Sequence, residues 1–225
     1  MGEATPFHFE TKEYGNIQNA VDYFLKFEIE RNKKILDIGT NLGSFPHALH
    51  MRRGYKNVHG IDIREHAIKY GQQHYPLIRD SLSCYDGHAI PFDNESFDVI
   101  TMFDVIEHIP KIEEFMSETN RVLATGGYFI FQTPNIYINS VWSTIVWRSL
   151  GWKKEHCSLQ SLRSLRKLLS RTGFRQIVIE KHSINTEFNR SEVSKQLGSV
   201  GLFLLKISDN LPLSVYPNFY GSAVK

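Results

Sequence analysis

Ile35-Leu-Asp-Ile-Gly-Thr-Asn-Leu-Gly-Ser-Phe45 is the stretch on which the fold turns. With Lys33 and Lys34 ahead of it, the apolar run reads as a buried strand ending at Gly39. A glycine there lets the backbone turn sharply and lets a ligand approach the main chain. Asn41 tolerates a left-handed conformation that most residues do not. Phe45 to Arg53 then reads as a helix. Strand, glycine loop and helix in this order make a nucleotide-type loop, and equally a plain structural turn, because turn-forming glycines are common.

Outward from this stretch the same alternation repeats. On its N-terminal side, Ile17, Ala20, Val21, Phe24, Leu25 and Phe27 recur at helical spacing, which predicts a helix over Asn16 to Arg31 with Asn16 as its cap. On the other side, Asn57 to Asp62 reads as a strand ending in an acid, and Ile63 to His74 as a helix stopped by Pro76. Phe97 to Phe103 is a further strand. Ile112 to Leu123 is a helix closed by Gly126-Gly127, and Tyr128 to Thr133 is a strand stopped by Pro134 and Asn135. Leu159 to Arg171 is an amphipathic helix with Leu162, Leu165, Leu168 and Leu169 inward. Phe174 to Lys181 and Phe219 to Val224 read as strands. A helix is expected over Ser191 to Ser208, weakened by Gly198 and Gly201. Strands alternating with crossover helices imply a doubly wound, mainly parallel α/β sheet with helices on both faces. Ligands in such sheets bind beyond the carboxyl ends of the strands, where the strand order reverses. The polar residues that end the strands are therefore the ones that matter.

Composition narrows the function classes. A chain of 225 residues can bury one sizeable core, so one domain is expected over 1–225. The net charge of +2 argues against a nucleic-acid partner, since no basic run tracks phosphates. Arg163, Arg166, Lys167 and Arg171 cluster at helical spacing and read as a solvated face. Two cysteines, Cys84 and Cys157, make no disulfide framework and fit a reducing compartment. Met1 to Glu10 lacks a secretory pattern, and no stretch reaches the roughly 18 apolar residues of a membrane span. The expectation is a cytoplasmic protein whose oligomeric state is open.

Two more acids give the loop a chemical meaning. Asp62 ends the strand about 20 residues beyond it, where a carboxylate can accept from both ribose hydroxyls. Asp86, in Cys84-Tyr-Asp-Gly-His-Ala-Ile-Pro-Phe92, precedes the strand at Phe97 and can accept from an adenine amino group. Each acid alone can be a cap or turn residue. The ordered set Asp37, Gly39, Gly43, Asp62 and Asp86 is much harder to obtain by accident.

Here the sequence resembles the class I S-adenosylmethionine-dependent methyltransferases, in particular the small-molecule subgroup that includes ubiquinone-biosynthesis O-methyltransferases. Ile35 to Phe45 is similar to the family's first motif, Gly60-Ile-Asp62 to its second, and Asp86 to Phe92 to its adenine-side motif. Phe97 to Pro110 is similar to the fourth-strand motif, and Arg121 to Phe131 to the segment entering the fifth strand. The resemblance implies a Rossmann-like seven-stranded sheet and S-adenosyl-L-methionine as cofactor. It implies that Asp37 and Gly39 lie against the methionine part, Asp62 holds the ribose, and Asp86 with the backbone of Gly87 and His88 holds the adenine. Asn41, Gly43, Ile63 and Phe103 complete the implied cofactor shell. Asn41 departs from the family, which has a middle glycine there.

Methyl transfer from a sulfonium is an in-line displacement, and holding the nucleophile in line with the methyl carbon supplies much of the rate. A hydroxyl nucleophile also benefits from a base or a metal. Asp104, Glu107 and His108 directly follow the strand Phe97 to Phe103. With His156, which lies just ahead of the helix at Leu159, they offer four carboxylate and imidazole ligands for a divalent ion such as Mg, Mn or Zn. The alternative is that Glu107 braces the loop and His108 packs beneath the cofactor. As a base His156 is favoured over His108; otherwise His156 is structural and Ser158 caps the helix. His47, His59 and His182 read as ordinary surface or core histidines.

The segment 136–157 holds all three tryptophans and, with 184–214, is expected to form the substrate cap. Its aromatics suit an apolar pocket wall, contact with a membrane interface beside Arg148, Lys153 and Lys154, or plain core. The favoured function is methyl transfer to a small-molecule hydroxyl. A non-catalytic S-adenosylmethionine-binding or protein-interaction module and an RNA methyltransferase are the alternatives. A nicotinamide dehydrogenase fits less well, because Gly39 and Gly43 do not make the closer Gly-x-Gly-x-x-Gly pattern.

Overall fold

The structure is a computed structural model that describes residues 17–138, 156–183 and 187–225, except the side chains of 187–189, 192, 196, 204 and 208. Seven strands form one open sheet. They are β1 (Ile35–Ile38), β2 (Val58–Asp62), β3 (Leu82–Cys84), β4 (Phe97–Phe103), β5 (Leu123–Pro134), β6 (Arg175–Glu180) and β7 (Asn218–Val224). Their order across the sheet is β3-β2-β1-β4-β5-β7-β6. The first five pair in parallel. The sheet is not parallel throughout: β7 runs antiparallel to both β5 and β6.

Helices cover both faces, and the strand period of two decides which side chains meet them. Leu36, Ile38, Ile100, Met102, Phe129 and Phe131 point to one face. There they meet Phe115 and Met116 of α4 (Ile112–Val122) and Leu165, Leu168 and Leu169 of α5 (Leu162–Arg171). Ile35, Val99 and Ile130 point to the other face. They meet Tyr23 and Phe24 of α1 (17–25) and Phe45 and Leu49 of α2 (Ser44–Arg53). Helix α3 (Glu65–His74) follows β2, and α6 (Glu187–Ser208) lies between β6 and β7 in sequence.

Several boundaries differ from the sequence expectation for identifiable reasons. Helix α1 stops at residue 25, and Glu28 takes a positive φ of 49° where the helix was expected to continue. Asn16, its expected cap, lies outside the described residues, as do 139–155 with the three tryptophans. Strand β3 was not anticipated, since three residues show no period. Leu123 opens β5 rather than closing α4, because it pairs with Phe97; the register then shifts by the time Val99 meets Tyr128, and Gly126 sits at φ 78°. Helix α5 starts at Leu162, not Leu159. Its cap is Ser161, whose hydroxyl accepts from the Ser164 amide while the Ser164 side chain accepts from the Ser161 amide. Ser158, expected as that cap, instead donates through its hydroxyl to the Ile109 carbonyl and through its amide to Glu107 O at 2.9 Å. Helix α6 is broken at Gly198, with φ 56° and ψ −143°.

Candidate functional site

The strand order reverses between β1 and β4, with β2 and β3 to one side and β5 to the other. The crevice at such a reversal opens beyond the carboxyl ends of the strands. The loops leaving β1, β2 and β4 meet there. Gly39 (φ 75°) and Gly43 (φ 82°) are left-handed, and so is Asn41 (φ 53°) between them. The loop is tight as well as twisted. A Cβ on Gly39 would come within 2.4 Å of Val105 Cγ2, so the loops after β1 and β4 are pressed together.

Asp37 faces Thr101 across the β1–β4 register, and the Thr101 hydroxyl donates to its Oδ1 at 2.7 Å. Asp37 is nearly inaccessible to solvent, and burial pushes its carboxyl up to about 7 despite that hydrogen bond. Asp62 is equally buried but accepts from four donors. Oδ2 takes the Asn41 amide at 2.8 Å and Arg64 Nη2 at 3.2 Å; Oδ1 takes the Arg64 amide at 2.9 Å and Arg64 Nε at 3.0 Å. Burial pushes this carboxyl up, but the Arg64 and Asn41 donors outweigh it and hold Asp62 below its ordinary value.

In the turn after β3, Asp86 is exposed and its Oδ1 accepts from the amides of His88 at 2.8 Å and Ala89 at 3.3 Å. One carboxylate oxygen is thus engaged in shaping the turn, where Gly87 is left-handed at φ 81°. Ile63 is 61% exposed, and a Cβ on Gly87 would lie 3.1 Å from its Cγ2, so the segments after β2 and β3 converge. Phe103 ends β4 and packs against Phe45 with ring centroids 5.1 Å apart.

Past β4 the chain holds Asp104 in a left-handed conformation, φ 55°. Gln132 of β5 fixes it twice: the Asp104 amide donates to Gln132 Oε1, and Gln132 Nε2 donates to Asp104 Oδ1, both at 2.9 Å. Burial raises the Asp104 carboxyl above its ordinary value, against the opposing hydrogen bond from Gln132 and the neighbouring His108 and His156. Glu107, in a short 3-10 turn over Ile106–His108, is 1% exposed. Burial, and then the charge of Asp104, push it up to about 8, while the Thr133 hydroxyl donates to its Oε2 at 3.0 Å.

The bonds from Ser158 to this turn carry His156 to the site. The His108 and His156 rings lie 4.9 Å apart in an edge-to-face arrangement, and His108 Nε2 is 4.0 Å from Glu107 Oε1. Glu107, His108 and His156 each offer a ligand atom within 4.8 Å of the others. Asp104 does not belong to this group, a correction to the expected four-ligand set, although His108 and His156 lie near enough to act on its charge; its Oδ1 accepts from Gln132 Nε2. Thr101, Gln132, Thr133 and Arg64 were not singled out in the sequence. Three of them lie on neighbouring strands, and no local pattern marks their partners.

A crevice at the β1–β4 reversal, with a left-handed glycine loop and a buried acid ending β2, is the nucleotide-binding arrangement expected of a class I S-adenosylmethionine-dependent methyltransferase. A family model described as a methyltransferase domain matches residues 9–179, and the chain belongs to that family. The ubiquinone biosynthesis O-methyltransferase of Candida albicans mitochondria is 31% identical over 116 residues, covering 49% of this chain and 35% of that protein. The ubiquinone biosynthesis O-methyltransferase of Hydrogenovibrio crunogenus is 25% identical over 134 residues, covering 56% and 54% respectively. The chain thus spans only about a third to a half of these curated relatives. Phosphoethanolamine N-methyltransferase 2 of Haemonchus contortus, solved with S-adenosyl-L-methionine, shares the fold with a TM-score of 0.68 at 18% identity. That match covers 92% of this chain and 52% of that one. No described helix is long and apolar enough to cross a membrane.

Proposed function

We propose that the chain moves the methyl group of S-adenosylmethionine to the hydroxyl oxygen of a small-molecule acceptor, with His156 as general base. One observation carries this reading: two imidazoles meet directly past β4, beside the loop that follows β1. In that reading the acceptor oxygen attacks the methyl carbon as the carbon–sulfur bond breaks. S-adenosylhomocysteine leaves, and the hydroxyl proton passes to the imidazole. A neutral imidazole carries a ring-nitrogen lone pair that can take this proton. Asp104 and His108 orient the acceptor and its proton. The cofactor lies along Asp37, Gly39, Asn41 and Gly43, with its ribose at Asp62 and its adenine between Ile63 and the Asp86–His88 turn. The O-methyltransferase relatives support oxygen as the nucleophile. In this reading the chain is a single domain in a reducing, cytoplasmic setting; of the two segments expected as a substrate cap, 139–155 and 184–186 lie outside the described residues.

The test is labelled-methyl transfer from S-adenosylmethionine into a metabolite extract, with the product identified by mass. With that acceptor, His156→Ala lowers turnover by about 10²–10⁴ and leaves S-adenosylmethionine affinity nearly unchanged. An unchanged rate at saturating acceptor passes the role to His108, and transfer into RNA alone overturns the small-molecule reading.

A second reading rests on the Glu107–His108–His156 group. Tetrahedral ligands about 2.0–2.2 Å from one ion lie about 3.3–3.6 Å apart, so a group spread over as much as 4.8 Å closes by about an ångström to hold an ion. A divalent ion there would ionise Glu107 and polarise the acceptor oxygen. In this case chelator abolishes turnover and Mg, Mn or Zn restores it; full activity in excess chelator, with no metal in the purified protein, removes the metal.

A further inference from the structure

The Asp62 carboxylate has no capacity left for a ribose. A carboxylate offers about four lone-pair sites, two on each oxygen. The Arg64 amide and Nε occupy those of Oδ1, and the Asn41 amide and Arg64 Nη2 occupy those of Oδ2. The two kinds of donor differ in how far they can move. The amides belong to the cofactor loop and to the start of α3. The guanidinium sits on a flexible stem whose side chain is 50% exposed, while Asp62 is 3% exposed. If the guanidinium swings out, one site opens on each oxygen, and the two amides still hold the carboxylate in place. Two adjacent open sites on one carboxylate match the two vicinal hydroxyls of a ribose.

We propose that Arg64 competes with a ribose for Asp62 and must release the carboxylate before a nucleoside bearing a vicinal diol can bind. This rests on the assignment of the ribose to Asp62. Arg64 then sets affinity by competing with the ligand, and its removal tightens binding. The competing contact is an ion pair, so salt weakens it, whereas the ligand's own hydrogen bonds to Asp62 are less screened.

Calorimetry with S-adenosylhomocysteine tests this. Its two charges cancel, so its own salt dependence is small. Arg64→Ala tightens binding by about two- to five-fold, the scale of a half-exposed ion pair. Arg64→Gln, which keeps the stem, does the same and guards against a local effect of alanine at the start of α3. Raising the ionic strength tightens binding to the native protein and not to either variant. Asp62→Asn weakens binding by about ten- to a hundred-fold. In that background Arg64→Ala changes nothing. Weaker or unchanged binding in both Arg64 variants, while Asp62→Asn still weakens it, overturns the competition and leaves the ribose assignment standing. Tightening that persists in the Asp62→Asn background also overturns it, because Arg64 then acts elsewhere. Unchanged affinity in Asp62→Asn removes the ribose assignment itself, and the competition with it.

Discussion

At the scale of single residues, the site is built from carboxylates held in opposite states. Asp62 is kept ionised by four donors, whereas Glu107 and Asp37 are pushed toward their neutral forms by burial. The consequence for stability has a definite sign. Glu107 is pushed up to about 8 in the fold against an ordinary 4.5, so the folded protein binds the extra proton across that window. Its contribution is fully present below pH 4.5 and is lost as pH rises toward about 8. Asp37, folded near 7 against 3.8, adds a second descent in the same direction. One proton sets a slope of at most about 1.4 kcal/mol per pH unit. Glu107→Gln keeps an acceptor for Thr133 and removes one of the two descents. Urea unfolding at a series of pH values should give a flatter curve for the variant; parallel curves would mean that Glu107 is not proton-bound in the fold. The acids were legible in the sequence, but their charge states were not, because those depend on Thr101, Thr133 and Arg64, which only the folded sheet assembles around them.

At the scale of elements, α3 and the loop after β1 share one contact that permits no side chain. A Cβ on Gly71 would come within 2.1 Å of the Leu42 carbonyl oxygen and 3.1 Å of Leu82 Cδ1. The helix therefore lies directly on the loop backbone. Gly71→Ala must push them apart, at a cost of about 1–3 kcal/mol, and should weaken S-adenosylhomocysteine as well. Thermal unfolding and calorimetry read the two effects, and a loss of stability without any loss of affinity would show that the loop does not lean on α3. Nothing around Gly71 in the sequence announces this, since a lone glycine in a helical pattern reads as a weak point. The strands β1, β2 and β4 were readable because each is an apolar run ended by a glycine or an acid. Three-residue β3 carries no such pattern, and the bulge near Gly126 moved the start of β5 back to Leu123.

At the scale of the whole molecule, a cofactor that binds only the folded state must raise its stability. At a free concentration of 100 times its Kd, S-adenosylhomocysteine adds about 2.7 kcal/mol, or roughly 5–11 °C in Tm for a chain of this size. A nicotinamide dinucleotide should add nothing; a larger shift from it than from S-adenosylhomocysteine would put the assigned cofactor in doubt. The general plan was legible because strand and helix alternate along the chain. The antiparallel β7 was not, because a strand's direction depends on its neighbours and not on its own residues. That strand also has a consequence for synthesis. It is made after β6 yet lies between β5 and β6. While the ribosome is still working through α6, the open side of β5 has no neighbour, and β6 has no sheet to join. A nascent chain halted there carries β1 to β5 complete, with the β5 edge bare and the apolar run Tyr128 to Phe131 along it. Unpaired edges of this kind recruit other chains. Truncation before Asn218 should therefore yield aggregates rather than a smaller soluble fold.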